Sequence, residues 1–219
     1  QVTIKELSET LRAIGNVKKY CLLNTRFIHP GFYSDKKFLN QLLDKLEFLV
    51  SNSNITGIVF SDAYFLNAVA TMKRDIISVL EAVPGINCMI DSGQKAFSFF
   101  EIIERTDFKF PGKIVLDRSL NRNIERLKKT GYEIKKTHRH INIELLANEG
   151  CIYLCPFKLS HDSQISFSNT QVVTEKNFQI NHEIGCHSYF HKTPEKFFKS
   201  PFIRPEDIDQ YDQIADTIK

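Results

Sequence analysis

Short apolar runs alternate with amphipathic runs along most of this chain, and that alternation constrains its fold more than any other feature. Runs that read as strands lie at residues 20–27 (YCLLNTRF), 55–60 (ITGIVF), 86–90, 113–116 and 141–146. Helical periodicity fills the stretches between them. Ile4, Leu7, Leu11 and Ile14 recur at helical spacing before Gly15-Asn16 supplies a stop. Asp35 is placed to cap a helix with Phe38, Leu42, Leu46 and Leu49 on one stripe. Further helices are predicted at 63–83, closed by Pro84-Gly85, and at 95–104 and 123–129. Strand follows strand at close to the ~30 residues of a βαβ unit. Runs that are apolar almost throughout suit strands covered on both faces. The alternation therefore predicts an α/β fold with a parallel sheet and helices outside it.

Each predicted strand ends in polar residues: Asn24, Arg26 and His29, then Ser61-Asp62, Asp91-Ser92, Asp117-Arg118-Ser119 and Asn148-Glu149. Barrel enzymes present their chemistry in this way, at the carboxyl ends of their strands. The expected architecture is one domain over 1–219, a (β/α) TIM-like barrel, complete or in part. Neither GxGxxG nor GxxxxGK[ST] occurs, which argues against a nucleotide-binding sheet. After Cys155 the pattern degrades into a polar excursion at about 157–192, with 159–183 read as irregular. Thr193-Pro194-Glu195 and Pro205-Glu206-Asp207 read as short helix starts, with proline and acids where a helix N-terminus favours them. Residues 215–219 are read as the start of one more strand.

Composition narrows the functional classes. A net charge of +3 is too small to indicate nucleic acid. The longest apolar runs fall short of the ~18 residues of a membrane span, and the first residues read as an amphipathic helix, not a signal peptide. Five cysteines in a chain of 219 residues do not suggest a disulfide framework, so the expected compartment is the reducing cytoplasm. The chain opens on Gln and closes on a strand-like TIK, which reads as part of something longer.

The chemistry concentrates in residues 141–161, INIELLANEGCIYLCPFKLSH. The strand breaks into Ala147-Asn148-Glu149-Gly150 and delivers Cys151 and Cys155, and Pro156 closes the pair off. Cys186 follows between His182 and His187. Three thiols suit a soft metal, either an iron–sulfur cubane or zinc with a histidine as fourth ligand. Against this stands the ordinary burial of free cysteine as a small hydrophobe, the reading adopted for Cys21 and Cys88. Glu144 and Glu149 are candidate acid/base groups, with Glu144 facing inward. The competing reading for Glu144 is a buried charge paired with an arginine. Cys151 or Cys155 with His161 would make a nucleophile and base, although a thiol pair followed by proline looks more like ligation. Asp117, Asn121, Arg122, Asn148 and Arg204 are candidates for holding an anionic co-substrate such as a dicarboxylate. The competing reading there is helix capping by Asp117 and a structural salt bridge for Arg204. No HExxH or GxSxG occurs.

Four segments, in this order, resemble the collagenase-like peptidase family U-32. They are IVFSDAYFLNAV (58–69), LDRSLNRNIERLK (116–128), ELLANEGCIYLCPFKLSH (144–161) and KSPFIRPEDIDQY (199–211). The resemblance runs from about Tyr20 onward, and NEGCxxxCP is its specific part. It implies a TIM-like barrel with further strands beyond this chain. Some members of that family are classed as proteases. Others hold a 4Fe–4S cluster on four cysteines and support oxygen-independent hydroxylation of ubiquinone precursors or RNA bases, with prephenate implicated as the oxygen source. The resemblance thus favours iron–sulfur over zinc on Cys151, Cys155 and Cys186, although the spacing differs and a fourth thiol is not evident. The leading expectation is an iron–sulfur-dependent modification enzyme. The alternatives are a peptidase and a non-enzymatic metal-stabilised scaffold subunit, the last as part of a heterodimer or homo-oligomer.

Overall fold

The computed structural model describes residues 2–169 and 177–219. It is an α/β structure built on two three-stranded parallel sheets. Helix α1 (Ile4–Ala13) starts in a capping box in which Thr3 and Glu6 satisfy each other's backbone N–H groups. It ends where Gly15 takes φ 82°, a left-handed turn that glycine adopts at low cost. Strand β1 (Lys19–Leu23) follows, then the short α2 (Gly31–Ser34) and α3 (Lys36–Ser53). As predicted, Asp35 caps α3, with Oδ1 accepting from the N–H groups of Lys37 and Phe38, both at 3.0 Å. Such a cap is worth about 1 kcal/mol. The fully buried stripe of α3 is Leu39, Leu43, Leu46 and Leu49, with Phe38 and Leu42 on its half-buried flank.

Strand β2 (Ile55–Phe60) lies between β1 and β3 (Glu81–Pro84). Gly57 is required there, because a Cβ would stand 2.4 Å from the Glu81 carbonyl oxygen. The expected single helix over 63–83 is corrected. Helix α4 covers only Ala63–Ala70, a 3-10 turn covers Asp75–Val79, and β3 begins at Glu81. The strand expected at 86–90 is instead a 3-10 turn, Ile86–Cys88. Ile76, Ile77, Leu80, Ala82 and Val83 are all buried, and a short apolar run of that kind suits a buried helix and a buried strand equally well.

The second sheet takes β4 (Lys113–Val115), β5 (Asn142–Leu145) and β6 (Thr217–Ile218), with α5 (Gly93–Glu104) leading into β4 and α6 (Ile124–Thr137) between β4 and β5. A parallel bridge from Glu81 to Lys109 joins the sheets, supported by Ala82 N–H to Lys109 O at 3.1 Å and Lys109 N–H to Leu80 O at 2.9 Å. Among the described residues, β1 and β6 are not paired, so the hydrogen bonding does not close into a barrel. The excursion is more regular than expected. It carries α7 (Lys158–Asn169), α8 (Asn177–Glu183) and α9 (Cys186–Lys192), while residues 170–176 lie outside the described residues. Both proline-led starts are 3-10 helices, Pro194–Lys199 and Pro205–Gln210. No helix among the described residues is long and apolar enough to cross a membrane.

Candidate active site

The loops that leave the strands are bonded to one another. The Asn24 carbonyl accepts from Ser61 Oγ and Asn87 Nδ2, both at 3.0 Å, and Asp117 N–H donates to Ile90 O at 2.8 Å. Strands running parallel bring these ends to one side, and there α7, α8 and α9 enclose a cavity of about 1290 Å³. Cys151, Cys155 and Cys186 all line it, as do His161, His182, His187 and His191. Three of the five cysteines and four of the seven histidines thus face one space.

Glu149 anchors the thiol loop. It is 7% exposed, its Oε1 accepts from Cys151 N–H at 3.0 Å, and its Oε2 pairs with Arg118. Arg118 Nη1 also stands 3.7 Å from Cys151 Sγ. Burial, and after it the Glu149 carboxylate, push the Cys151 thiol up to about 11. The side chain is therefore a thiol at neutral pH, not a nucleophilic thiolate. Burial likewise raises Cys155. Burial lowers His161, which outweighs the opposing pull of Asp162 and keeps its imidazole neutral. Leu154 adopts φ 52° directly before Cys155. Left-handed backbone at a non-glycine residue is costly and gathers at functional sites.

A second group closes the other wall. Arg26, from the loop after β1, pairs with Asp162 of α7 at 2.5 Å, and Lys158 holds both Asp162 oxygens at 2.9 and 2.8 Å. Phe27 N–H donates to Ser166 Oγ at 3.3 Å, a further tie to α7. Lys158 and Asp162 are absent from the sequence candidates because 159–183, which holds Asp162, reads as irregular and Lys158 stands at its edge. Their i,i+4 spacing on a helix is the signal that would have found them.

The other candidates fall elsewhere. Glu144 is buried in β5 and is not among the cavity's lining residues. Its Oε1 meets Lys219 at 2.6 Å and Lys113 at 3.4 Å, so its partners are lysines where an arginine was expected. Asp117 lines a small neighbouring cavity of about 200 Å³ and spends Oδ1 on the Ser119 N–H at 2.8 Å. Asn121 donates to the carbonyls of Leu146 and Pro201, at 2.9 and 2.8 Å. Arg122 donates to those of Ser200 and Phe198, at 2.7 and 2.8 Å. These two residues pin residues 198–201 to the turn after β4 and, through Leu146, to the end of β5. Asn148 is exposed, with its N–H 3.4 Å from Lys219 O. Arg204 is exposed and bidentate to Asp207 at 2.7 and 2.9 Å.

For a metal centre the donors are right in kind. Thiolates and imidazoles suit iron–sulfur clusters and zinc. Their placement does not match: among the described residues, no group of three His, Cys, Asp or Glu side chains is set to hold one ion. Cys151 Sγ lies against Arg118 instead.

The fold is α/β, with a large cavity among the loops at the carboxyl side of its parallel strands. No family model matches the chain. A solved U-32 peptidase shares its fold, with a TM-score of 0.62 at 14% identity over 98% of this chain and 73% of that one. An uncharacterized protease of Methanocaldococcus jannaschii is 25% identical over 208 residues, covering 93% of this chain and 55% of the archaeal one. The chain thus spans little more than half the length of that relative. These two similarities support the U-32 relationship that the four sequence segments suggest.

Proposed function

We propose that the large cavity is the active site of a U-32-type enzyme on a (β/α)-barrel framework, acting on a substrate with an anionic group. One observation carries this reading: thiols and imidazoles spread over residues 151–191 line one cavity beside Arg26, Arg118 and Lys158. His161, neutral through burial, is placed to accept a proton. Cys151, held as a thiol, is not placed to attack as a thiolate. Among the described lining residues, Arg26, Arg118 and Lys158 outnumber Glu149 and Asp162, which favours an anion in a partly enclosed space.

The family resemblance supports a finer reading, in which the reaction is iron–sulfur-dependent, oxygen-independent hydroxylation with Cys151, Cys155 and Cys186 as ligands. That reading requires the thiols to converge further than they do here. Similarity to a solved U-32 peptidase and to an archaeal protease supports a second reading, peptidase activity. Anaerobic purification, with iron, acid-labile sulfide and zinc counted per chain, separates the two. Iron and sulfide present in the wild type and lost in Cys151→Ala are the expected result. Stoichiometric zinc without sulfide would overturn the hydroxylase reading and leave peptide cleavage to be assayed.

A further inference from the structure

The three cations of the cavity wall differ in how their charge is met. Arg118 faces Glu149 one to one, and that pair is neutral. Arg26 and Lys158 share a single carboxylate. Arg26 Nη1 reaches Asp162 Oδ2 at 2.5 Å, and Lys158 Nζ reaches the same oxygen at 2.8 Å and Oδ1 at 2.9 Å. The two nitrogens are therefore neighbours on one oxygen, and the three groups together carry one positive charge in excess. Their side chains are 15%, 18% and 12% exposed for Arg26, Lys158 and Asp162. Water and salt screen a charge poorly at such sites. All three residues line the large cavity.

The arrangement is also held in place. The Arg26 guanidinium lies over the Phe27 ring, 5.8 Å from its centroid, and its Nη2 meets Met89 Sδ. Phe27 N–H donates to Ser166 Oγ at 3.3 Å, which fastens the loop after β1 to α7. Lys158 and Asp162 stand one turn apart on that helix. An arriving anion therefore meets cations that are already ordered, and the cost of ordering them does not weigh on binding. A guanidinium carries five N–H donors and an ammonium three. Among the described residues, the contacts to Asp162 and Met89 leave donors over on both. The same cavity is lined by Ile152, Ile165, Phe190 and Phe197, which supply apolar surface.

We propose that Arg26 and Lys158, bridged by Asp162, are the seat for the anionic group of the substrate, and that this group is a singly charged carboxylate on an apolar body. One excess positive charge matches one negative charge, whereas a doubly charged phosphate would leave the seat with charge of the opposite sign. Arg118 then serves the thiol loop through Glu149 and does not hold the ligand. This deepens the active-site assignment above and rests on it for the cavity being where substrate binds.

The probe is anilinonaphthalene sulfonate, a fluorescent, singly charged anion on an apolar body, titrated into the purified chain at low ionic strength. The expected result is one saturable site, emptied by phenylacetate and not by its neutral isostere phenylacetamide. Lys158→Met and Arg26→Gln each weaken that site by about tenfold or more, the loss expected for a hydrogen bond to a charged group. Lys158→Arg, which keeps the charge, retains most of the affinity. Arg204→Gln, exposed and bonded to Asp207, leaves it unchanged. Urea denaturation confirms that each variant is folded, and Lys158→Met, which keeps an apolar stem, carries the test if Arg26→Gln does not fold. Equal affinity in wild type and Lys158→Met would overturn the proposal, as would displacement by phenylacetamide as readily as by phenylacetate. Binding lost in Arg118→Gln but kept in Lys158→Met would overturn this seat and leave an anion-binding cavity standing. A wild-type chain with no saturable site would overturn both. The readout does not depend on iron, sulfide or zinc, so the seat and the metal reading fail separately.

Discussion

Replacing Glu144 with glutamine separates a structural role for this carboxylate from the catalytic one its sequence position suggests. The side chain is 4% exposed, with Lys219 at 2.6 Å and Lys113 at 3.4 Å on the same oxygen. Lys113 also lies over the Tyr20 ring, 4.4 Å from its centroid, so its ammonium is held in place from two sides. Glu144→Gln keeps an acceptor for both lysines but removes the charge. Hydrogen bonds to charged groups contribute ~1.5–3 kcal/mol. The Lys113 contact is long and Lys219 is half exposed, so screening places the loss toward the low end, at about 2 kcal/mol. With a urea m-value of ~2 kcal/mol/M, the unfolding midpoint falls by about 1 M. Urea denaturation followed by circular dichroism measures this. Alkylation of Cys151 in the folded protein should stay at the wild-type rate, because Glu144 does not line the cavity. An unmoved midpoint together with a lost cavity function would refute the structural assignment and return Glu144 to the chemistry.

Two further outcomes concern the cavity. Glu149→Gln removes the carboxylate that, after burial, holds the Cys151 thiol up, so alkylation of Cys151 at neutral pH should speed up by roughly three- to fourfold for each tenfold gain in thiolate. An equal rate in both proteins would show that burial alone sets this thiol. For His161, burial lowers the folded value below 6.5, so as pH falls the unfolded chain binds a proton first. Its contribution to stability is complete above 6.5 and lost as pH falls from there toward the folded value. NMR titration should therefore find His161 below its ordinary value, and His161→Gln should flatten the pH dependence of stability in that window. A titration at or above 6.5 would contradict the burial argument.

Local rules were enough wherever one physical preference dominated. The Asp35 cap, the Gly15 stop and β2 lie where the residues themselves place them, because a side-chain acceptor, a left-handed turn and a bounded apolar run each act over a few residues. The U-32 relationship was legible for a similar reason, in the short segments around Asp117, Cys151 and Arg204. The stretch 71–90 was not. Its apolar residues are buried whether they form helix or strand, and only pairing with β2 and Lys109 places β3 at Glu81–Pro84. The helical character of 158–169 was also hidden, because its apolar face is weak and its ties to Arg26 and Phe27 come from a loop more than 130 positions away. The site candidates divide in the same way. Sequence named the thiols, Glu149 and His161, since their chemistry is intrinsic to the side chain. Only the tertiary structure could take Glu144, Asn121 and Arg122 into structural bonds and bring Arg26, Lys158 and Asp162 to the cavity wall. What a charged or amide group does depends on the partner within hydrogen-bonding reach, and long-range packing sets that partner.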